Sequence, residues 1–321
     1  MQQEPLSSHN YLVDLMKVIV TPPSFCKSES LKFKLSSLFP NTVYNDRDQY
    51  LSGPELIEFL KEADAAIIGR DSVDQKILNA LPQLKMISKY GVGFDNLDLN
   101  AIKQRGIALM VTAGTNKRSV AELALSFMIG LCHNIFVSAE KMKRGEWSRE
   151  GGQNLSGKTV GIIGCGNVGQ ELVKILNPFG CNILVNDIEN RSGFCKAQGA
   201  TESSFQVLLK ESDIVSLHVP LTSLTRDMIN EKVFNSMKAS AFLINTSRGP
   251  VINQSDLHRA LMSKEILGAA LDVFCSEPPD DLEFLNLPNL MVTPHIGGNS
   301  IEAVEAMGQG AIDNLVKYFN K

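Results

Sequence analysis

Several things are scarce in this chain, and each scarcity removes a class of function. No apolar run approaches the roughly 20 residues that a membrane-spanning helix needs, and the N-terminus shows no basic segment followed by an apolar one. A cytoplasmic protein without a membrane partner is therefore expected. Positive charge is not in excess: 31 Lys and Arg stand against 35 Asp and Glu, for a formal net charge of −4. With no basic stripe to neutralise a phosphate backbone, nucleic acid is excluded as a partner. The six cysteines (Cys26, Cys132, Cys165, Cys181, Cys195, Cys275) are scattered singly, without the close pairs of zinc sites or redox motifs. They read as reduced, mostly buried thiols, and no metal centre is expected.

What is present is alternation. A chain of 321 residues, 44% hydrophobic, is long enough for about two domains with full cores. Short apolar runs at Val18-Val20, Ala65-Ile68, Met86-Ile87 and Ala108-Val111 alternate with amphipathic stretches, as the strands of a parallel sheet alternate with helices. The pattern resumes at Ile183-Val185, Ile214-Leu217, Phe242-Ile244, Ala269-Val273 and Met291-Val292, which predicts a second doubly wound sheet. Between the halves, Asn116 to Lys143 reads as one long helix. It is opened by a capping box at Ser119-Val120-Ala121-Glu122 and carries Val120, Ala124, Phe127, Leu131 and Ile135 at helical spacing. Residues 1 to 15 read as an extension, and Asn154-Leu155-Ser156-Gly157-Lys158 as a polar entry to the second sheet.

The second sheet opens on Thr159-Val160-Gly161-Ile162-Ile163-Gly164-Cys165-Gly166-Asn167-Val168-Gly169, and Asp187 ends the next apolar strand 18 residues after Gly169. This is a dinucleotide-binding fingerprint in its strand-turn-helix context. Gly164 makes the turn, Gly166 lets the backbone approach a pyrophosphate, and Gly169 lets the helix pack closely on the strand. The turn lacks the lysine and serine or threonine with which phosphate-loop kinases and hydrolases handle phosphate and magnesium. Asp187 then meets a ribose diol and favours NAD, because a carboxylate repels the extra phosphate of NADP. Arg191, four positions on, leaves a phosphate contact open.

Three later segments place polar groups at strand ends, where open parallel sheets form their ligand crevice. They end in Arg248, in Asp272 with Glu277, and in His295. Each alone has a plain explanation as a surface arginine, a solvated acid before a proline turn, or a satisfied histidine. Of the other histidines, His9 lies in the extension, His133 in the long helix and His258 in an exposed helix.

Taken together, the motifs resemble those of the D-specific 2-hydroxyacid dehydrogenases over nearly the whole chain. Gly91-Val92-Gly93-Phe94-Asp95-Asn96, Ser119-Val120-Ala121-Glu122-Leu123, the fingerprint, His218-Val219-Pro220-Leu221-Thr222, Asn245-Thr246-Ser247-Arg248-Gly249, Glu277-Pro278 and Pro294-His295-Ile296-Gly297-Gly298 occur in the family's order. The resemblance implies an α/β fold of two doubly wound parallel-sheet lobes. One is a flavodoxin-like substrate lobe (1–115 and 297–321) and the other a Rossmann NAD-binding lobe (116–296), usually in a homodimer built around the long helix. It implies hydride transfer between NAD and a 2-hydroxy or 2-keto acid. Arg248 would hold the substrate carboxylate and polarise its carbonyl, His295 would exchange the proton, and Glu277 would orient His295 and favour its charged form.

By the same resemblance, Gly164, Gly166, Asn167, Val168, Gly169, Asp187, His218, Val219, Pro220, Thr246, Ser247, Asp272 and Gly298 line the cofactor pocket. Arg70, Lys89 and the amides of Gly91, Val92 and Gly93 are expected to join Arg248 around the substrate, the two cations adding charge for a phosphate. The sequence looks closest to the phosphoglycerate dehydrogenase branch, with glyoxylate and hydroxypyruvate as alternative substrates. It departs from that branch where the usual Arg-Ser-x-Thr is Arg70-Asp71-Ser72-Val73, and it ends at Lys321 without a regulatory domain, so serine feedback is not expected. The contrasting reading is a dinucleotide-sensing corepressor, since the family includes members that keep the fold and the catalytic residues while recruiting partner peptides.

Overall fold

The computed structural model describes residues 15–320, so His9 and all but the last residue of the expected extension lie outside the described residues. The chain divides into two compact units, one formed by the residues up to Asn116 together with those from Asn299 onward, the other by Lys117–Gly298.

In the first unit, β1 (Val18–Val20), β2 (Thr42–Tyr44), β3 (Ala65–Ile68), β4 (Met86–Lys89) and β5 (Ala108–Val111) form a parallel sheet in the order β2-β1-β3-β4-β5. This is the flavodoxin-like order, in which the winding reverses between β1 and β3. Three central strands are buried along their length, as expected of a sheet covered on both faces. The helix Ile301–Phe319 returns to this unit, placing Met307, Ala311, Ile312 and Leu315 against Val18, Val20, Ile67 and Met86. Burying a leucine such as Leu315 contributes roughly 1.5–3 kcal/mol. The Ser88 hydroxyl donates to the Ala311 carbonyl at 2.9 Å, satisfying a polar atom that the packing hides.

In the second unit, seven parallel strands are ordered β12-β11-β10-β9-β6-β7-β8. They are β6 (Thr159–Ile163), β7 (Asn182–Asn186), β8 (Thr201–Glu202), β9 (Ile214–Leu217), β10 (Phe242–Asn245), β11 (Gly268–Leu271) and β12 (Leu290–Val292). The winding reverses between β6 and β9, where Ile163 pairs with Leu217. The turns that follow these two strands therefore face a common crevice.

The expected long helix is two helices, α1 (Lys117–Cys132) and α2 (Ile135–Lys143), bent by 66°. The break falls at Asn134, whose backbone is left-handed (φ 52°, ψ 37°), a conformation that asparagine tolerates better than most residues. His133 sits in this bend rather than in a helix. α1 buries Val120, Ala121, Ala124, Phe127, Met128 and Leu131, whereas α2 buries none of its residues. The capping box is not formed either: the helix starts two residues before Ser119, and Glu122 pairs with Arg118 at 2.6 Å. Among the described residues no single helix is long and apolar enough to cross a membrane.

Candidate active site

The fingerprint turn leaves β6 at Gly164, whose backbone (φ +90°) is closed to most side chains. A Cβ there would lie 2.6 Å from the His218 carbonyl oxygen, so the turns after β6 and β9 meet backbone to backbone. A Cβ on Gly169 would sit 2.1 Å from the Gly164 oxygen, which binds the start of α3 (Asn167–Leu176) tightly to its strand. At Gly166 a Cβ would meet nothing within 4 Å, leaving room beside the helix N-terminus, with exposed Asn167 and half-buried Val168 following it. Cys165 is fully buried, and that burial pushes its thiol up to about 11, so it carries no thiolate at neutral pH.

Asp187 follows β7. Its carboxylate accepts the Cys165 N–H at 2.6 Å and the Glu189 N–H at 2.9 Å. Arg191 is turned to acids, with Nη2 2.6 Å from Glu189 and Nε 3.6 Å from Asp187. The arginine that left a phosphate contact open is thus answered by two carboxylates. Ile188, 97% exposed, presents an apolar side chain next to Asp187, a position that sequence reasoning did not single out because an isolated exposed isoleucine carries no motif. Asp187→Asn removes the charge and keeps an acceptor. A carboxylate and a phosphate charge about 6 Å apart, at an effective dielectric near 20, repel by roughly 3 kcal/mol. The substitution is expected to lower the preference for NADH over NADPH by about a hundred-fold, as read from kcat/KM with each.

His218 follows β9 with Nε2 2.9 Å from the Ser216 hydroxyl, and Val219 packs against Gly164. The Pro220 carbonyl accepts from Thr225 at 2.6 Å, holding the next turn. Removal from water lowers the His218 imidazole from 6.5 to about 4, so it is neutral at neutral pH. In that window the unfolded chain binds a proton that the folded one does not, and stability falls as pH drops. Denaturant unfolding is expected to lose up to about 1.4 kcal/mol per pH unit there from this group. His218→Gln is expected to flatten that dependence.

The chemistry-bearing groups hang on the ends of β10, β11 and β12. Thr246 follows β10, and its hydroxyl is buried without a hydrogen-bond partner. Ser247 Oγ donates to Asn245 Oδ1 at 2.7 Å, and Arg248 Nη1 donates to the Ser247 carbonyl at 2.7 Å. A Cβ on Gly249 would lie 2.0 Å from the Phe274 carbonyl carbon, so the arginine's turn rests directly on the turn after β11. In that second turn the Phe274 N–H donates to Glu277 Oε1 at 3.1 Å. Glu277 in turn receives His295 Nδ1, at 2.8 Å to Oε2 and 3.1 Å to Oε1. Asp272, 1% exposed, accepts from Thr293 Oγ1 at 2.6 Å and from the N–H groups of Ile296 and Gly297, each at 2.8 Å. Its carboxylate is consumed by the loop that carries His295. Gly298 closes that loop as the last residue of the unit.

These residues fit a dinucleotide: an open cradle at Gly166, an orphaned hydroxyl at Thr246, and a carboxylate at the ribose position. The sequence pattern of the D-isomer specific 2-hydroxyacid dehydrogenase, NAD binding domain, family matches residues 125–297. The chain belongs to this family. It is 38% identical to a glyoxylate reductase of Thermococcus litoralis, over 82% of each chain. It is 36% identical to a D-3-phosphoglycerate dehydrogenase of Methanocaldococcus jannaschii, over 83% of this chain and 52% of that protein. A D-lactate dehydrogenase of Aquifex aeolicus, solved with NAD and lactic acid, superposes with a TM-score of 0.84 at 27% identity over 95% of both chains. This dehydrogenase uses NAD. Among the described residues no cluster of three or more His, Cys, Asp or Glu could hold a metal ion.

In the first unit the expected substrate residues take different positions. Lys89 is 4% exposed, with its ammonium on the Gly69 carbonyl and 3.5 Å from that of Tyr90. It props the loop after β3 from within. Asp71, the departure noted above, is also buried, accepting from the Thr21 hydroxyl and from the Leu51 N–H at 2.8 Å. Arg70 alone of the three is exposed, its guanidinium 5.4 Å from the centre of the Tyr50 ring. Gly91 adopts φ +95° and opens the Gly91-Val92-Gly93 turn after β4.

Proposed function

We propose that this dehydrogenase reduces a small, unphosphorylated 2-keto acid, with glyoxylate and hydroxypyruvate as first candidates, and oxidises the matching D-2-hydroxy acid in reverse. The observation that carries the catalytic part of the reading is the 2.8 Å contact of His295 Nδ1 with Glu277. A carboxylate there fixes the ring's orientation and favours the imidazolium, leaving Nε2 to give a proton to the nascent alkoxide and to take one back in oxidation. Arg248 holds the substrate carboxylate through paired N–H donors and draws charge from the reacting carbonyl. When bound, NAD supplies or accepts the hydride. The Gly164–Gly169 turn, Asp187, the His218–Pro220 segment and Thr246 hold it. Arg70 and the Gly91–Gly93 amides are the first unit's own candidates for binding the substrate.

Two observations favour the smaller substrate. The chain resembles a glyoxylate reductase over most of both proteins, and Lys89, one of the two cations expected at a phosphate, is spent inside the first unit. Exposed Arg70 favours the second reading, oxidation of 3-phosphoglycerate. NADH consumption with glyoxylate, hydroxypyruvate and phosphohydroxypyruvate decides between them: a higher kcat/KM for the phosphorylated acid would reverse the order. Silence across the panel despite tight NADH binding would favour the corepressor-like reading instead.

The assembly is proposed as a homodimer, since α2 buries nothing of its own and leaves Ile135 and Met142, seven residues apart on one side of the helix, exposed to water. A monomer mass by light scattering would remove that assignment.

A further inference from the structure

The motif Ser119-Val120-Ala121-Glu122 lost its expected role once the helix proved to begin at Lys117, and its serine does something else. The Ser119 hydroxyl donates to the carbonyl of Gly297 at 2.6 Å, a contact spanning 178 positions of sequence. A serine inside a helix ordinarily points to water or bonds back to the carbonyl four residues earlier. Ser119 instead reaches the loop that carries His295.

That loop needs holding. His295 sits at φ +54°, a left-handed conformation that is unfavourable for a non-glycine residue and persists only where the surroundings impose it. Asp272 grips the loop through Thr293, Ile296 and the Gly297 N–H. Ser119 grips the opposite end of the same residue, the Gly297 carbonyl, from a different element. The Gly297 residue is thus fixed at both its donor and its acceptor, two positions after the histidine, and the loop cannot turn without breaking one of these bonds.

We propose that Ser119 is a positioning residue for His295: by anchoring the Gly297 carbonyl it keeps the imidazole on Glu277 and in line for proton transfer. This inference rests on the reading of His295 as the proton donor. Losing one such bond corresponds to about a three- to ten-fold effect.

The test compares Ser119→Ala, Ser119→Thr and His295→Ala in the full chain with NADH, using glyoxylate and hydroxypyruvate as probes. Melting temperature and NADH affinity are measured first to show that each variant is folded. For Ser119→Ala, kcat is expected to fall about three- to ten-fold while KM and NADH affinity stay within about two-fold. The alkaline limb of its reduction profile is expected to move to lower pH, because an imidazole drawn off its carboxylate loses its proton more readily. Ser119→Thr, which keeps the hydroxyl, is expected to restore both. Wild-type kcat in Ser119→Ala, a fall in kcat with an unmoved pH profile, or a loss that Ser119→Thr does not reverse would each overturn the proposal. If His295→Ala keeps full turnover, the reading of His295 itself fails, and that result is distinct from a failure confined to Ser119.

Discussion

Replacing His295 with alanine is expected to lower kcat for keto-acid reduction by about 10²- to 10⁴-fold, the usual contribution of a positioned general acid. NADH affinity is expected to hold, because the glycine turn and Asp187, rather than His295, are the groups proposed to grip the dinucleotide. Glu277→Gln is the companion measurement. It keeps a hydrogen-bond acceptor for Nδ1 but withdraws the negative charge that stabilises the imidazolium. Its alkaline limb should therefore shift to lower pH, with a smaller fall in the plateau. Glu277 also receives the Phe274 N–H, so an amide that retains this bond preserves the local turn. Turnover and pH profiles unchanged in both variants would remove the dyad from the reaction.

The second large effect is expected at Arg248. Arg248→Lys keeps the charge but loses the planar fork that meets a carboxylate with two parallel donors, so a merely electrostatic role would survive the change and a geometric one would not. A loss of about 10²- to 10³-fold in kcat/KM is expected, comparable with removing a donor that stabilises a developing oxyanion. Part of it should fall on KM, since the carboxylate is held before and during the reaction, and part on kcat, since the carbonyl is polarised mainly in the transition state. The backbone beneath the side chain is rigid enough for this comparison: the Arg248 carbonyl accepts from Asn245 Nδ2 at 2.8 Å, and Gly249 lies directly on Phe274. Retention of wild-type kcat/KM in the lysine variant would refute bidentate recognition.

Much of this architecture was legible in the residues because the strands that carry it are buried on both faces. Such strands must be short and apolar, and Val18-Val20, Ala65-Ile68 and Ile214-Leu217 appear in the structure with the limits read from sequence. The strands that sequence reasoning missed, Thr42–Tyr44 and Thr201–Glu202, lie at sheet edges, and the second is wholly exposed. An edge strand in water needs no apolar run, so it leaves no signature. The helix break at Asn134 was hidden for a related reason. Apolar residues at helical spacing continue past it to Ile135, and only the local backbone turns away.

The amino-acid sequence alone determined which groups could do the chemistry: a glycine turn fit for a pyrophosphate, a guanidinium, an imidazole and carboxylates, each at the end of a strand, since these depend on local spacing and residue type. Tertiary structure decided where those groups are spent. Asp71 and Lys89 are buried as props of a loop, Arg191 is held by acids, Asp272 grips the histidine's loop, and Ser119 reaches across the fold to Gly297 instead of capping its own helix. The physical reason is that a charged or polar side chain has the same identity in water and in a core. Which partner satisfies it depends on contacts between residues far apart in the chain, and those exist only once the fold has formed.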